Sequence, residues 1–486
     1  MKIKAYLTIY LTLSLTALLA VAMVLLAGIR KNTARMEEEL ALDTAGWSVL
    51  AEYHQELFRQ YDLFFIDTSY GSSYPAVEAI GEHIKSYANR NLQNTNLIDA
   101  RLELIGIQDA EIAADHGGQV LKRQIVEYEE NYFGLDELEN LLSKFEITGQ
   151  EQIAEKDLLK KRDENERRLA SEPPPVKKVT KKRYHLDTGK TEMIEEEEEV
   201  PIENPAAYVN DLRNKGILSL VVSDPAKISG KGISPEEYLS CRRDILQGTG
   251  ILQERIEAGG ALTEVKEKIL LDAYIFQKFG YFGQEKEGAG LDYQVEYLLE
   301  GKGTDTENLK AVVNKLLLFR EAANAAYLYG DAAKMAEISA MAASVAAVAV
   351  APYLQPLLET SILFAWAYIE SVQDVKLLLS GGKVPVIKAA SDWQTSLSSI
   401  LDFKGGTVSE GTSRGLNYQQ YLSMFLLTKR ENELLFSMMD VMEMDIRRTA
   451  YNENFRMDGC VSGFRAAAEF ADTGGGNCSF LRTYYY

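Results

Sequence analysis

Three cysteines in 486 residues, Cys241, Cys460 and Cys478, are too few for a disulfide scaffold. The four histidines, His54, His83, His116 and His185, form no H-E-x-x-H pair, and no C-x-x-C occurs. A zinc site therefore has no signature, and no metal or cofactor is expected. Cations are outnumbered: 52 Lys and Arg stand against 72 Asp and Glu, a net charge of -20. Phosphate backbones need clustered Lys and Arg, so a nucleic-acid partner is excluded. The same charge repels the body from an anionic membrane surface. Only 11 prolines interrupt a chain that is 46% hydrophobic, which leaves room for one large or two medium domains with real cores.

Charge is missing altogether between Lys4 and Arg30, where AYLTIYLTLSLTALLAVAMVLLAGI runs unbroken. A bilayer core takes about 20 apolar residues, so this run spans it with modest tilt. A cleaved signal peptide using Ala20-Val21-Ala22 is disfavoured because the apolar run continues to Ile29. A lipoprotein signal needs a cysteine where Ile29 stands. Residues 1–30 thus read as an uncleaved signal anchor in the cytoplasmic membrane, with the lipid bilayer as partner. Lys2 and Lys4 balance Arg30, Lys31 and Arg35 across the span, so charge alone does not orient it. Long domains translocate largely regardless of charge, and an extracytoplasmic body is expected.

Past the membrane, Met36, Leu40, Trp47, Leu50, Tyr53, Leu57 and Tyr61 recur at spacings of three, four or seven. That stripe predicts one amphipathic rod over 5–63, about 85–90 Å long, whose upper half lies on a globular head. QYDLFFIDTSYGSSYP, residues 60–75, then raises the question of a phosphotransfer site at Asp67. Such a site wants a second aspartate two residues on, and Ser69 is there instead. The cluster reads as a turn, with Ser73 as N-cap of a helix over 76–88. IDARLELIGI alternates apolar and polar residues and predicts a half-buried strand. The same period in LDYQVEYLLEG, GFRAAAEFA and FLRTYYY predicts strands near 291–299, 464–471 and 480–486, all in one small antiparallel sheet.

Residues 149–205 carry a proline triplet and five consecutive glutamates, a composition that predicts a mobile linker with at most a small hairpin over 184–194. It separates residues 31–148, the rod and first part of the head, from the α-rich main head at 206–486. Gly189-Lys190-Thr191 imitates a Walker A ending, but Tyr184 takes the place of its first glycine. Helices are expected over 309–329 (opened by a Thr304–Glu307 capping box), 332–350, 354–379 and 418–448. The fold class is α+β: an anchor helix continuing into a long amphipathic helix, then a mostly helical head.

KAYLTIYLTLSLTALLAV, GIRKNTARMEEELALDTAGWSVLAEYHQELFRQYDLFFIDTSYG, FAWAYIESVQDVKLLLSGGKVPVIK and GLNYQQYLSMFLLTKRENELLFSMMDVMEMDIRR resemble a bacterial domain-of-unknown-function family of single-pass membrane proteins. That family looks related to TadE- and TadG-type pseudopilins and sits with tight-adherence (Tad) pilus and type II secretion-like genes. The resemblance implies a structural or assembly component of such an envelope apparatus, with other Tad-like pilus or secretion subunits as partners. It supplies no catalytic residues. Prepilins carry a glycine before the apolar run and a glutamate near its fifth position. Here Lys4 and Ala5 open the run and it holds no acid, which implies a minor, pseudopilin-like role.

Two other readings stay open: a membrane-tethered binding or sensor module, and an enzyme. Asp67, Asp331, Glu370 and Asp374 are the carboxylates an enzyme would draw on, and Glu370 and Asp374 share a helical face. Surface acids are mostly solvated or paired, so a non-enzyme is expected. An outside location and a shared terminal hairpin make Cys460 and Cys478 the candidate disulfide, with Cys241 a buried thiol.

Overall fold

The computed structural model describes residues 2–93, 100–132, 152–184, 191–199, 204, 206–214, 216–222, 224–248, 261–400, 403, 414–472 and 477–486. The fold is α+β. Among the described residues the strands are β1 (Ile66–Asp67), β2 (Ala100–Ile112), β3 (Val176–Tyr184), β4 (Thr191–Glu199), β5 (Cys460–Asp472) and β6 (Asn477–Tyr485). The chain divides into two compact units. One takes Met1–Tyr132, Pro235–Leu271 and Glu431–Tyr486, the other Phe133–Ser234 and Asp272–Arg430.

The first unit is a helix laid along an antiparallel sheet. β5 lies at the centre, with β2 on one edge and β6, continued by β1, on the other. Strands were expected over 464–471 and 480–486 because apolar residues alternate there, and β5 and β6 occupy both stretches. Helix α1 (Lys2–Leu50) is held by alternate residues of β6 and the tail beyond it. The Phe480 ring lies 6.0 Å from the Arg35 guanidinium. Arg482 pairs with Glu39 and, at 3.3 Å, with Asp43. The Tyr484 hydroxyl reaches Asp43 at 3.2 Å, and the Tyr486 hydroxyl donates to the Leu50 carbonyl. Two strand residues advance about 6.6 Å and one helical turn about 5.4 Å, so successive pairs stay in step for four turns.

That last contact ends the rod earlier than periodicity predicts. In a continuing helix the Leu50 carbonyl would accept from the His54 N–H. Instead it takes Tyr486, and His54 N–H donates to Phe65 at 2.8 Å. A separate helix α2 (Gln55–Tyr61) then starts, with the His54 ring accepting from Leu57 N–H at 3.1 Å. At 49 residues α1 is about 73 Å long.

The rod stripe needs correction in its first half. Leu50, Leu57 and Tyr61 are buried and Tyr53 half-buried, but Met36, Leu40 and Trp47 are 71%, 63% and 58% exposed. The buried face is Ala34, Glu38, Ala41, Leu42, Ala45, Gly46 and Val49. It keeps helical spacing with mostly small side chains, and at Gly46 the cause is direct: the Tyr484 ring sits on it. A Cβ there would lie 2.3 Å from Tyr484 Cζ.

Two further expectations in this unit change. The helix after the 67–73 turn is α3 (Glu78–Leu92); its N-cap is Val77, with no side-chain cap, and not Ser73. The register sets Cys478 opposite Phe470, ten residues along β5 from Cys460. At about 3.3 Å per residue the two sulfurs are roughly 30 Å apart, so no disulfide joins them. All three cysteines are free, and Cys241 is exposed where a buried thiol was expected.

The second unit is mostly helical. Thr304 Oγ caps Asp305–Gly330 by accepting from Glu307 N–H at 3.2 Å. The helix Gln355–Leu379 is buried along almost its whole length and stops at Gly381, whose φ of +88° suits only glycine. Ala332–Val348 is a separate helix as expected, and only α1 among the described residues is long and apolar enough to cross a membrane. The stretch expected as a strand near 291–299 is helical over Gln294–Glu300. Val295, Tyr297 and Leu299 are buried, but so are Gln294, Glu296 and Leu298, so burial on all sides defeats the period-two signal. The single helix expected over 418–448 is two, Tyr418–Thr428 and Glu431–Arg447, broken where Lys429 turns extended.

The charged segment is not the featureless linker its composition predicts. Helix Gln152–Ser171 docks through buried Asn165, which donates to the Leu357 carbonyl at 3.0 Å, and through Arg162, paired with buried Glu321 at 2.8 Å. Beyond it β3 and β4 pair over nine residues each, a basic strand against an acidic one, with Lys177 opposite Glu198 and Lys178 opposite Glu197. Opposite charge across the ladder offsets what low hydrophobicity withholds. The turn expected around Asp187-Thr188-Gly189 lies outside the described residues.

In an exposed helix Gly→Ala is worth about 1 kcal/mol of added stability. Here Gly46→Ala is expected to cost about 1–3 kcal/mol through overpacking against Tyr484. Leu40→Gln on the open face should stay within about 0.5 kcal/mol. Denaturant unfolding of the two variants checks the sign directly.

Candidate functional site

Two features of the first unit have the makings of a site. The first is the free length of α1. From Tyr6 to Thr33 its side chains are exposed apart from half-buried Ser14, and its apolar window has no buried share. Ser14 and Thr16 donate back to the Leu11 and Leu13 carbonyls at 3.0 and 2.9 Å, so their hydroxyls add no unpaired donor to the apolar cylinder. The segment offers apolar surface around its full girth.

The second is a polar cleft of about 460 Å³ where three turns meet: Glu52–Glu56 between α1 and α2, Asp67–Ser72 after β1, and Ala450–Phe455 before β5. Glu52 organises its wall. It accepts from Tyr87 at 2.6 Å and meets His83 Nδ1 at 2.9 Å, while the Tyr70 ring stacks on His83 at 3.9 Å. Tyr70 holds a left-handed backbone, φ 45°, and burial and the Glu52 carboxylate push its hydroxyl well above the usual range. Among the described residues no Lys or Arg lines the cleft. Sequence reasoning missed it because its three turns lie up to about 400 residues apart and share no motif.

Acid–base chemistry finds little purchase there. His54 Nδ1 accepts from Leu57 N–H, so Nε2 carries the proton and donates to Asn452 at 3.1 Å; both ring nitrogens are engaged. Asp67 accepts from Ser69 N–H at 2.9 Å and Ser69 Oγ at 2.8 Å, an Asx turn. The aspartate closes its own turn.

The other carboxylates offered to an enzyme are structural partners. Asp331 caps the helix Ala332–Val348 through the Ala333 and Lys334 N–H groups. Glu370 and Asp374 do share a helical face, and Lys388 bridges them, 2.6 Å from Asp374. Arg320 holds Asp374 at 3.0 Å, and Glu370 also takes the Gln394 and Thr395 N–H groups at 2.9 Å. Two cations and two anions, all buried, form a closed neutral set. Among the described residues no group of three or more His, Cys, Asp or Glu could hold a metal ion.

Two acids of the second unit do titrate unusually. Burial raises Asp272 and Glu296 each to about 7, against hydrogen bonds from Ser423 Oγ and Tyr418 Oη that act to lower them. Each folded carboxyl then keeps a proton that the unfolded chain releases near pH 4. Stability therefore falls as pH rises from about 4 to about 7 and is level above that. Asp272→Asn should flatten this fall and raise stability at pH 8 relative to pH 5, by on the order of a few kcal/mol. Denaturant titrations at the two pH values test it, and an unchanged slope would refute the burial argument. Lys388→Met, which strands two buried carboxylates, should cost about 3–5 kcal/mol in the same assay.

No characterised protein and no solved structure matches the chain. Residues 195–472, more than half of the chain, match a protein family described as a family of unknown function (DUF5702). That span takes in the last five residues of the acidic strand β4, the second unit's central helices and the whole of β5, but not α1. The chain belongs to this family of unknown function.

Proposed function

We propose that the protein is a membrane-anchored structural or assembly component, minor pseudopilin-like, of a Tad-type pilus or type II secretion-like envelope apparatus. Its bulk lies outside the cytoplasmic membrane, and it has no catalytic role. One observation carries the reading: α1 runs without a break from a bilayer-length apolar segment into a face clamped turn by turn by the last strand. Span and body of the first unit are thereby one rigid piece, which transmits position and force along the helix axis. A flexible tether would leave them uncoupled. The span also keeps its whole circumference for lateral helix partners, where small and apolar side chains pack by contact and not by exclusion of water.

The cleft beside Glu52 favours a second reading, a tethered binding or sensor module, since converging polar groups in a pocket are what such a module needs.

A photo-crosslinking residue at Leu18 in the full chain separates the two in cells. Assembly predicts adducts with another membrane polypeptide, and Leu18→Arg should abolish membrane retention or those adducts. Lipid adducts alone would sink it. Ser72→Trp, which plugs the cleft, should leave the adducts unchanged. If it removed the cellular phenotype with adducts intact, the binding reading would replace the assembly one.

A further inference from the structure

We propose that the β3–β4 ribbon is a self-association surface, in which the basic outer edge of one copy takes the acidic outer edge of the next. Among the described residues the ribbon is two-stranded, so each strand pairs on one side and leaves its other row of backbone N–H and C=O groups without a described strand. β3 carries Lys177, Lys178, Lys181, Lys182 and Arg183 and no acid; β4 carries Glu195 to Glu199 and no base. All ten side chains are exposed. Within the ribbon, Lys178 lies 4.0 Å from Glu195 and Lys181 3.4 Å from Glu196, both pairs open to solvent.

An open strand edge is a template for another strand, and proteins ordinarily blunt it with like charge. Here the charge does two things at once. β3 repels a second β3 and β4 repels a second β4, which forbids like-on-like docking. β3 against β4 of another copy sets a basic edge on an acidic one, adds glutamates on the outer side of the lysines and completes the backbone ladder, with nine residues, or about 30 Å, of contact. A second copy is the occupant because it is the one molecule certain to present the complementary edge at equal concentration. Such a contact is heterologous: it leaves one basic and one acidic edge free, so it extends in rows and does not close as a dimer. The inference goes beyond the assembly reading and does not need the membrane helix to have any partner.

The test uses the full chain in detergent with Cys241→Ser, which removes the exposed native thiol. One preparation carries Thr180→Cys on β3, the other Glu195→Cys on β4; these positions face each other across the ribbon. Mixed under mild oxidation, they should yield cross-linked heterodimers several-fold above Thr180→Cys homodimers. The yield should drop several-fold from about 0.1 M to about 1 M salt, as the screening length shrinks from about 10 Å to about 3 Å. The chain bearing both substitutions should close an internal disulfide, which reports that the ribbon itself has formed. Heterodimers no more abundant than homodimers, a yield indifferent to salt, or a ribbon that fails to close internally would each overturn the proposal. Leu18→Arg chains should still cross-link, so loss of membrane assembly and loss of ribbon pairing are read separately.

Discussion

The first unit depends on the grip of the chain's last residues on its first helix. Tyr484 is the centre of that grip. Its ring stands where a side chain at position 46 would be, its hydroxyl reaches Asp43, and its strand neighbour Phe464 packs against it at 5.4 Å. Around it, Arg482 and Tyr486 repeat the contact one turn down and one turn up. The contact joins residues more than 430 positions apart, so the sheet face that receives α1 is incomplete until β6 is in place. Loop closure over that separation is slow and entropically costly, which leaves the anchor helix without its clamp until the rest of the unit has folded.

Charge is handled by a different rule inside each unit than at the surface. In the first unit Glu443 and Asp458 are fully buried, and Arg242 reaches both, at 2.8 and 2.7 Å, while Arg456 adds a second contact to Asp458 at 2.6 Å. In the second, Glu321 is enclosed by Arg162 and Arg213, and Asp374 by Arg320 and Lys388. Each cluster supplies its own counter-charge, as burial requires. The net charge of -20 is therefore expressed mostly at the surface, where it keeps the body soluble and away from anionic lipid headgroups.

What was legible in the sequence follows from what each pattern encodes. The alternation in GFRAAAEFA survives because β5 has one buried face, with Phe464, Ala466, Ala468 and Phe470 inside and Glu469 out. The alternation at 291–299 misleads because Gln294 and Glu296, polar by type, are buried through hydrogen bonds to Gly280 N–H and Phe282 N–H. Polarity then no longer marks the solvent side. The rod stripe misleads for the opposite reason. Large apolar residues mark a core by hydropathy, yet the face of α1 that is buried is mostly Ala and Gly, which carry little, and at Gly46 a ring lies directly on the helix. The cleft was illegible altogether, since Glu52, His83 and Asn452 meet only through the fold.

The two faces of α1 beyond its apolar run carry different instructions. The mostly small-residue face, Ala34 to Val49, is buried within the first unit, where α1 packs on α3 and on β6. Met36, Leu40 and Trp47 lie on the other side, continuing the line of Leu26 and Ile29 in the span at spacings of three, four and seven. Met36 is about 10 Å, and Trp47 about 27 Å, along the axis from Ile29. With the apolar run in a bilayer, acyl chains that cover Ile29 would not extend that far beyond its end. The apolar line thus continues past the end of the charge-free run without losing its register on the helix. The opposite face is already held, by α3 and by the clamp of Arg482, Tyr484 and Tyr486, and Trp47 of the line touches that clamp, edge-on to the Tyr484 ring at 6.1 Å.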